Sequence, residues 1–457
     1  MLMEKKANFY ILSLGCPKNE VDAESMSYAL RLGDFNFVAD PTEATYLIVN
    51  TCGFIQSAKE EAIAAILDLA DYKQERIDRG LACYLIVTGC LGQRYARQIY
   101  DEFPEVDLVL GTAEYADIVA SLEALEDKRT LRGHLPGRPG SLRHLFHGEQ
   151  AADDRSYAYL KIAEGCSNLC SFCAIPYIRG PLLSRPIEDI VREAEILSQR
   201  GFKEIILVAQ DTTRYGLDLY GKPRLLDLLK ALLQVKNIGL IRILYVYGDV
   251  FSEELMDLIA STDKIASYVD LPIQHASDKI LKAMRRRETN ASLRELIGKL
   301  RSKIPGLILR TTIMVGFPGE TEEDYEQLKT FVKDMQFDRL GCFIFSPEEG
   351  TRAYRMSDLP DEKTSHMRYA EIMNLQKGIS LARNRARLNR VYPVLLESIS
   401  QDGLFYEGRS YGETPGIDPS IHVLAQREGL KLGDIVPVKL IDADEYDMTG
   451  VTVDEFT

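Results

Sequence analysis

The sequence predicts an α/β protein in three parts: an N-terminal open α/β sheet domain, a central partial (β/α)6 barrel and a small C-terminal all-β barrel. Three observations carry this. Short apolar runs alternate with helical stretches from residue 9 to about residue 350; a Gly- and Pro-rich segment interrupts them once, over residues 126–150; beyond about residue 390 strands follow one another without helices. At roughly 100–200 residues per domain, a chain of 457 residues leaves room for all three, with expected bounds of 1–140, 151–385 and 386–457.

In the first part, Phe9–Leu14, Tyr46–Asn50, Tyr84–Thr88 and Val106–Leu110 are β-branched or aromatic runs that read as buried parallel strands. Val21–Leu32 and Ser57–Tyr72 are the amphipathic stretches between them. Open sheets of this kind bind ligands beyond the C-terminal ends of their strands. Residues 126–150 read as a linker, its His134, His144 and His147 solvated. In the second part six strands are expected, at Tyr157–Ile162, Glu204–Ala209, Leu240–Val246, Ser267–Leu271, Leu307–Val315 and Arg339–Phe345. Helical patterns separate them, as in a parallel barrel whose active-site loops gather at the strand ends. In the third, Val391–Ile399, Gly403–Arg409, Ile421–Leu424 and Ile435–Ile441 are short strands punctuated by Gly, Pro and Asp.

Composition excludes some functions. The net charge of −14 argues against a protein whose main task is gripping nucleic-acid phosphates. No run approaches the roughly 18–20 apolar residues that span a bilayer. The apolar Phe9–Leu14 segment is too short for a signal peptide and meets Pro17-Lys18-Asn19 at once. A cytoplasmic protein without a membrane partner is expected, its eight cysteines serving as thiols, metal ligands or catalysts rather than disulfides.

The densest chemical signal follows the first strand of the second part: Glu164-Gly165-Cys166-Ser167-Asn168-Leu169-Cys170-Ser171-Phe172-Cys173. Soft thiolates select iron–sulfur, zinc or copper(I). Zinc usually takes four closed ligands, and no second Cys pair or nearby His is present. Three thiolates on a four-iron cluster leave one iron open.

At these residues the chain resembles the radical S-adenosylmethionine enzymes, whose signature is Cys-x3-Cys-x2-Cys on the first loop of a partial barrel. The resemblance implies that Cys166, Cys170 and Cys173 hold a [4Fe–4S] cluster whose open iron chelates S-adenosylmethionine, with reductive cleavage releasing a 5′-deoxyadenosyl radical. It also implies cofactor contacts from Phe172, from Gln210 in the turn after the second strand and from Gly316 in Gly316-Phe317-Pro318-Gly319. Arg185 is a candidate for the cofactor carboxylate, as is Arg179. A capping box at Thr321 and Asp324 accounts for part of that glycine-rich turn without any ligand.

Three further cysteines, Cys16, Cys52 and Cys90, each follow a strand of the first part and have a glycine beside them. Their equivalent positions suggest a second three-cysteine cluster, whereas Cys83 and Cys342 fit ordinary buried thiols. Two such sets, a radical core and a terminal β-barrel resemble the methylthiotransferase family, with two [4Fe–4S] clusters and a TRAM barrel. That family inserts sulfur and a methyl group into a C–H bond; by resemblance Cys166, Cys170 and Cys173 serve radical formation and Cys16, Cys52 and Cys90 sulfur delivery. Ser13-Leu14-Gly15-Cys16-Pro17-Lys18-Asn19 resembles the branch acting on an aspartate β-carbon of small-subunit ribosomal protein twelve, as do Ala209–Thr213 and Phe345–Thr351. The transfer-RNA branch, the alternative, carries a Tyr-Gly-Cys-Gln-Met-Asn-like segment instead. The resemblance further implies an electron donor such as flavodoxin or ferredoxin, and a sulfur source. Charge agrees with a basic protein partner: residues 391–457 hold 4 basic and 13 acidic side chains, a poor surface for phosphates.

Overall fold

The computed structural model describes residues 7–126, 132–145, 148–152, 155–425 and 429–454. The first domain comprises β1 (Asn8–Ser13), α1 (Pro17–Leu32), β2 (Asn36–Phe37), β3 (Tyr46–Thr51), α2 (Gln56–Asp78), β4 (Tyr84–Gly89), α3 (Cys90–Glu102), β5 (Leu108–Val109) and α4 (Ile118–Glu126). Its parallel sheet runs β2-β1-β3-β4-β5. Side chains alternate between two apolar layers: Leu47, Val49, Leu85 and Val87 pack with Ile66 and Leu69 of α2, while Ile48 and Ile86 pack with Met26, Leu30 and Leu122 of α1 and α4. The four expected strands are present, and β2 adds a short edge.

One difference bears on the site. Helix α1 begins at Pro17, four residues before its apolar pattern, because proline at the first helical position loses no hydrogen bond and Glu20 suits the first turn. Cys16 is therefore the N-cap residue, and Lys18 and Asn19 are helical.

The expected solvated linker is also corrected. His144 is 1 % exposed, with Nε2 2.9 Å from Asp22 Oδ1 and its ring edge-on to Tyr115. His134 pairs with Glu114. A buried carboxylate on α1 demands polar partners, and this segment supplies one of them. His147 lies outside the described residues.

The second domain comprises β6 (Tyr157–Lys161), β7 (Ala163–Glu164), α5 (Ile175–Arg179), β8 (Leu183–Ser184), α6 (Ile187–Gln199), β9 (Glu204–Val208), α7 (Leu217–Tyr220), α8 (Leu225–Leu232), β10 (Leu240–Ile243), α9 (Glu253–Ala260), β11 (Tyr268–Asp270), α10 (Asp278–Ala283), α11 (Asn290–Lys303), β12 (Ile308–Val315), α12 (Glu322–Met335), β13 (Arg339–Ile344) and α13 (Glu362–Arg385). Parallel triplets β6-β9-β10 and β11-β12-β13 meet at an Ile241–Ile265 bridge, giving the six-stranded partial barrel. Strand β10 ends three residues early because Tyr245 takes a left-handed φ of 60°. The expected capping box opens α12.

The third domain is a closed barrel, β14 (Val391–Ile399), β15 (Tyr406–Arg409), β16 (Ile421–Leu424), β17 (Ile435–Ala443) and β18 (Met448–Thr452), in order β14-β15-β16-β18-β17. Strand β18 was not foreseen: it follows an acidic run and carries Gly450, which lets it pack onto Val438 of β17.

The barrel docks where the core strands start. Glu204, at the start of β9, accepts from Arg242 at 2.7 Å and Arg409 at 2.9 Å. Arg242 also donates to the Ser410 and Tyr411 carbonyls, Tyr268 to Asp418, and Tyr159 to the Pro415 carbonyl. The β15–β16 connection thus packs against the base of the partial barrel, where the core strands start. Beside it, burial raises the Glu413 carboxyl, but Arg387, Arg339 and Ser410 outweigh burial and hold it at about 2 against an ordinary 4.5. A depressed carboxyl contributes stability above its unfolded pKa and loses it as the pH falls through the folded one. The unfolding free energy should therefore drop as the pH falls from about 4.5 towards 2, and Glu413→Gln should flatten that dependence in a denaturant series taken at each pH.

Candidate functional site

Cys16, Cys52 and Cys90 end three neighbouring strands. Ser13 of β1 pairs with Asn50 of β3, which pairs with Thr88 of β4, so the three loops emerge side by side. Glycines let them touch. A Cβ on Gly89, at φ 94°, would lie 2.4 Å from the Thr51 carbonyl oxygen, and one on Gly15 would lie 2.7 Å from Cys52 Cβ. Asn19 ties the loops together: its side-chain amide donates to the Leu14 and Thr51 carbonyls, and the Asn50 side-chain amide donates to the Asn19 main-chain carbonyl. Cys90 Sγ lies 3.8 Å from Asn19 Oδ1. Burial raises the Cys16 thiol, but Lys18, Arg179 and the first backbone N–H groups of α1 outweigh it and leave the thiol below its ordinary value. Burial pushes Cys52 up to about 12 and raises Cys90 too.

Cys166, Cys170 and Cys173 occupy the loop from β7 to α5. Gly165, at φ 68°, presses against Gly180 and Pro181, and the Cys166 N–H donates to the Gly180 carbonyl at 3.0 Å. The Ser171 N–H donates to Met284 and its carbonyl accepts from Ala353, so the core grips this loop from both sides. Cys170 Sγ is 3.7 Å from the Tyr247 hydroxyl. Arg286 stacks 4.2 Å from the Tyr247 ring centroid, its Nε and Nη1 buried without hydrogen-bond partners. Burial pushes the Cys166 thiol up to about 11 and raises Cys173 further. Among the described residues no three His, Cys, Asp or Glu side chains converge as ligands of one metal ion do. A four-iron cluster instead spreads its thiolates over separate corners. The buried Cys166 and Cys170 and the half-buried Cys173, with unpartnered Arg286 donors beside them, fit such a group.

The other expected cofactor residues divide. Gln210 follows β9, and its Nε2 is buried without a hydrogen-bond partner, a donor free for a ligand. Phe172 lines a 540 Å³ cleft together with Phe54, Ile55, Gln274, Met314 and Phe343. Its walls include Phe54, two residues beyond Cys52, and Phe172, next to Cys173, so segments adjoining both cysteine sets line it; among the described residues the one cysteine in the lining itself is Cys342. Gly316 has the positive φ of 74° expected of its turn, yet a Cβ there would meet Ser365 Oγ at 2.6 Å. Helix α13, rather than a ligand, makes that close approach. The Arg185 guanidinium is buried and engaged by Asp189, Glu193 and the Lys161 carbonyl. His275 Nδ1 accepts from the Ser277 N–H, and its Nε2 faces Glu320 at 3.5 Å.

A buried ionic network joins the two cysteine sets. Asp22 of α1 meets Lys161, His144 and Arg179, the last at 2.9 Å. Lys161 and Arg179 also reach Glu164, two residues before Cys166, at 2.9 and 3.0 Å. The second arm of Arg179 donates to Asn19. Across the cleft, Arg94 of α3 and Lys59 of α2 hold Glu348 of the core at 2.7 and 3.2 Å. Sequence reasoning missed Tyr247, Arg286, Asp22 and Glu348. A signal existed for Asp22: Lys18, Asp22 and Ser25 recur at helical spacing and are all buried.

Comparison with known proteins accords with this architecture. Residues 8–111 match the uncharacterized protein family UPF0004, residues 160–332 the radical SAM superfamily and residues 390–453 the TRAM domain. The curated ribosomal protein uS12 methylthiotransferase RimO of Acetivibrio thermocellus is 46% identical over 99% of this chain and 99% of its own. That of Desulforamulus reducens is 45% identical over 96% and 98%. The chain belongs to the RimO family of radical SAM methylthiotransferases. Among solved structures, radical S-adenosylmethionine methyltransferase TsrM from Kitasatospora setae matches with a TM-score of 0.53 at 15% identity, covering 76% of this chain and 77% of its own. The cobalamin-dependent radical enzyme OxsB matches with a TM-score of 0.53 at 12% identity, covering 82% and 56%. Both are likenesses of fold. Membership in the radical SAM superfamily implies a [4Fe–4S] cluster and S-adenosylmethionine.

Within this RimO-family architecture, Asp22 is the most exposed to test by substitution. Asp22→Ala leaves Lys161 and Arg179 sharing one carboxylate, a loss of about 3 kcal/mol in the unfolding free energy. A control at exposed Glu75 should stay within about 0.5 kcal/mol by denaturant titration.

Proposed function

We propose that this chain inserts a methylthio group at the β-carbon of an aspartate of ribosomal protein uS12, with Cys166, Cys170 and Cys173 as the radical site and Cys16, Cys52 and Cys90 holding a second [4Fe–4S] cluster. The single observation behind the reading is the shared cleft: one cavity is bordered by the loop after Cys52 and by Phe172 beside Cys173. A reaction that abstracts hydrogen and then adds sulfur at the same carbon needs both sources within reach of one bound residue. When bound, the two clusters supply one-electron cleavage of S-adenosylmethionine and the sulfur.

This chain's own side chains do the rest. Tyr247 and Arg286 present their polar groups at Cys170, and Gln210 offers an amide donor after β9. Phe54, Ile55, Phe172, Met314 and Phe343 give the cleft apolar walls that exclude water from a reactive centre. Arg185 is left out of the cofactor set because its guanidinium is already engaged. Residues 1–140, 151–385 and 386–457 serve as the sulfur, radical and docking units. The last, with its 4 basic and 13 acidic side chains over residues 391–457, faces a basic ribosomal protein more favourably than transfer RNA. A cytoplasmic setting, an electron donor of the flavodoxin or ferredoxin kind and a separate sulfur source complete the proposal. Among the described residues no helix is long and apolar enough to cross a membrane.

The test is to incubate the reduced, iron-reconstituted protein and S-adenosylmethionine separately with uS12 and with transfer RNA. Mass spectrometry should find the methylthio group on uS12. Cys166/Cys170/Cys173→Ala should abolish 5′-deoxyadenosine formation, whereas Cys16/Cys52/Cys90→Ala should retain it and lose methylthiolation. Modified transfer RNA with unmodified uS12 would overturn the assignment.

A further inference from the structure

Beyond its pull on the Cys16 thiol, one cation at the site has no task so far. Lys18, in the first turn of α1, is 6% exposed, and its Nζ lies 3.4 Å from the centroid of the Tyr245 ring. Among the described residues no carboxylate lies within ion-pairing distance of it. The other cations around the strand ends pair with carboxylates: Lys161 and Arg179 with Asp22 and Glu164, Arg214 with Asp211, Arg286 through Nη2 with Glu288, and the half-buried Arg310 with Asp270.

Position makes this vacancy of partners informative. Tyr245 and Tyr247 share the loop after β10. Tyr247 reaches Cys170 of the radical set, while Tyr245 lies under Lys18, two residues from Cys16 of the other set. Lys18 therefore sits beside the first set, against a loop that also reaches the second. The Tyr245 ring is held there by a left-handed backbone, its N–H donating to Asp270 Oδ2 and its carbonyl accepting from Thr212. An aromatic face offsets only part of the cost of a buried ammonium. A carboxylate arriving with the substrate would offset the remainder.

The target proposed above carries such a group, one bond from the reacting carbon. Resting on that uS12 reading, we propose that Lys18 binds the side-chain carboxylate of the target aspartate. It thereby holds the β-carbon between the two cysteine sets and rejects a neutral amide at the same position. Lys18 is then a specificity-determining residue, and its ammonium is matched to a single negative charge.

The experiment compares uS12 with a uS12 variant whose target aspartate is replaced by asparagine, using enzyme with both clusters reconstituted. The wild type should strongly prefer the aspartate form. Lys18→Met should lower kcat/KM for that form by about 100-fold and change the asparagine form by less than about threefold, so the preference collapses. Lys18→Arg should retain it. Lys18→Gln carries the same comparison should the methionine variant take up less iron. Unchanged preference in both neutral variants overturns the proposal. So does a raised KM for S-adenosylmethionine with impaired peptide-independent 5′-deoxyadenosine formation, which would assign Lys18 to the cofactor carboxylate. A wild type that modifies neither form is a separate failure, that of the uS12 reading.

Discussion

The carboxylate of Asp22 sets the geometry of this molecule. It is fully buried on a helix of the first domain, and an anion there is tolerable only when cations come with it. Two come from the core, Lys161 and Arg179, and a histidine comes from the segment crossing between the domains. Arg179 then reaches Asn19, which binds the Cys16 and Cys52 loops, and Glu164, which leads into Cys166. Apolar packing across this boundary is modest: Val21 joins the inner cluster of the core, and Cys90 packs with Ala174 and Ile178. Charge neutrality, which is sensitive to distance and direction, therefore fixes how the two cysteine sets face each other.

Much of this was legible in the chain. Strands such as β3 and β9 are readable because each is a short apolar run buried on both faces, and the six cysteines because each follows a strand or sits in a compact triplet. The polar partners were not. Asp22 and Arg179 lie 157 residues apart, and nothing local marks a pair at that separation. His144 looked like a linker residue because its surroundings are rich in Gly and Pro, yet tertiary demand for a partner to Asp22 buries it. Tyr247 and Arg286 are isolated polar or aromatic residues whose meaning appears only when β10 and α10 are brought beside Cys170. Helix α1 shows the reverse of the usual amphipathic rule: its buried stripe carries Lys18, Asp22 and Ser25, so a pattern search for apolar residues started the helix too late.

Charge, too, has a place as well as a total. The terminal barrel holds few basic side chains, and Arg409 turns inward to Glu204 and Glu397. Glu413 and Asp418 turn inward as well, so the barrel's acidic excess comes from its composition and not from burial of its arginine. The core spends its arginines in buried pairs, at the seam with the barrel and around the cysteine loops.

That seam has a consequence for traffic. With the β15–β16 connection seated among Tyr159, Arg242 and Tyr268, the lower end of the partial barrel is covered by the protein itself, apart from a 480 Å³ cleft at the seam. On the proposed reaction, the cleft beside Phe54 and Phe172 would be a shared doorway for cofactor, polypeptide and spent fragments. A polypeptide lodged there obstructs whatever lies behind it, so arrivals and departures must queue.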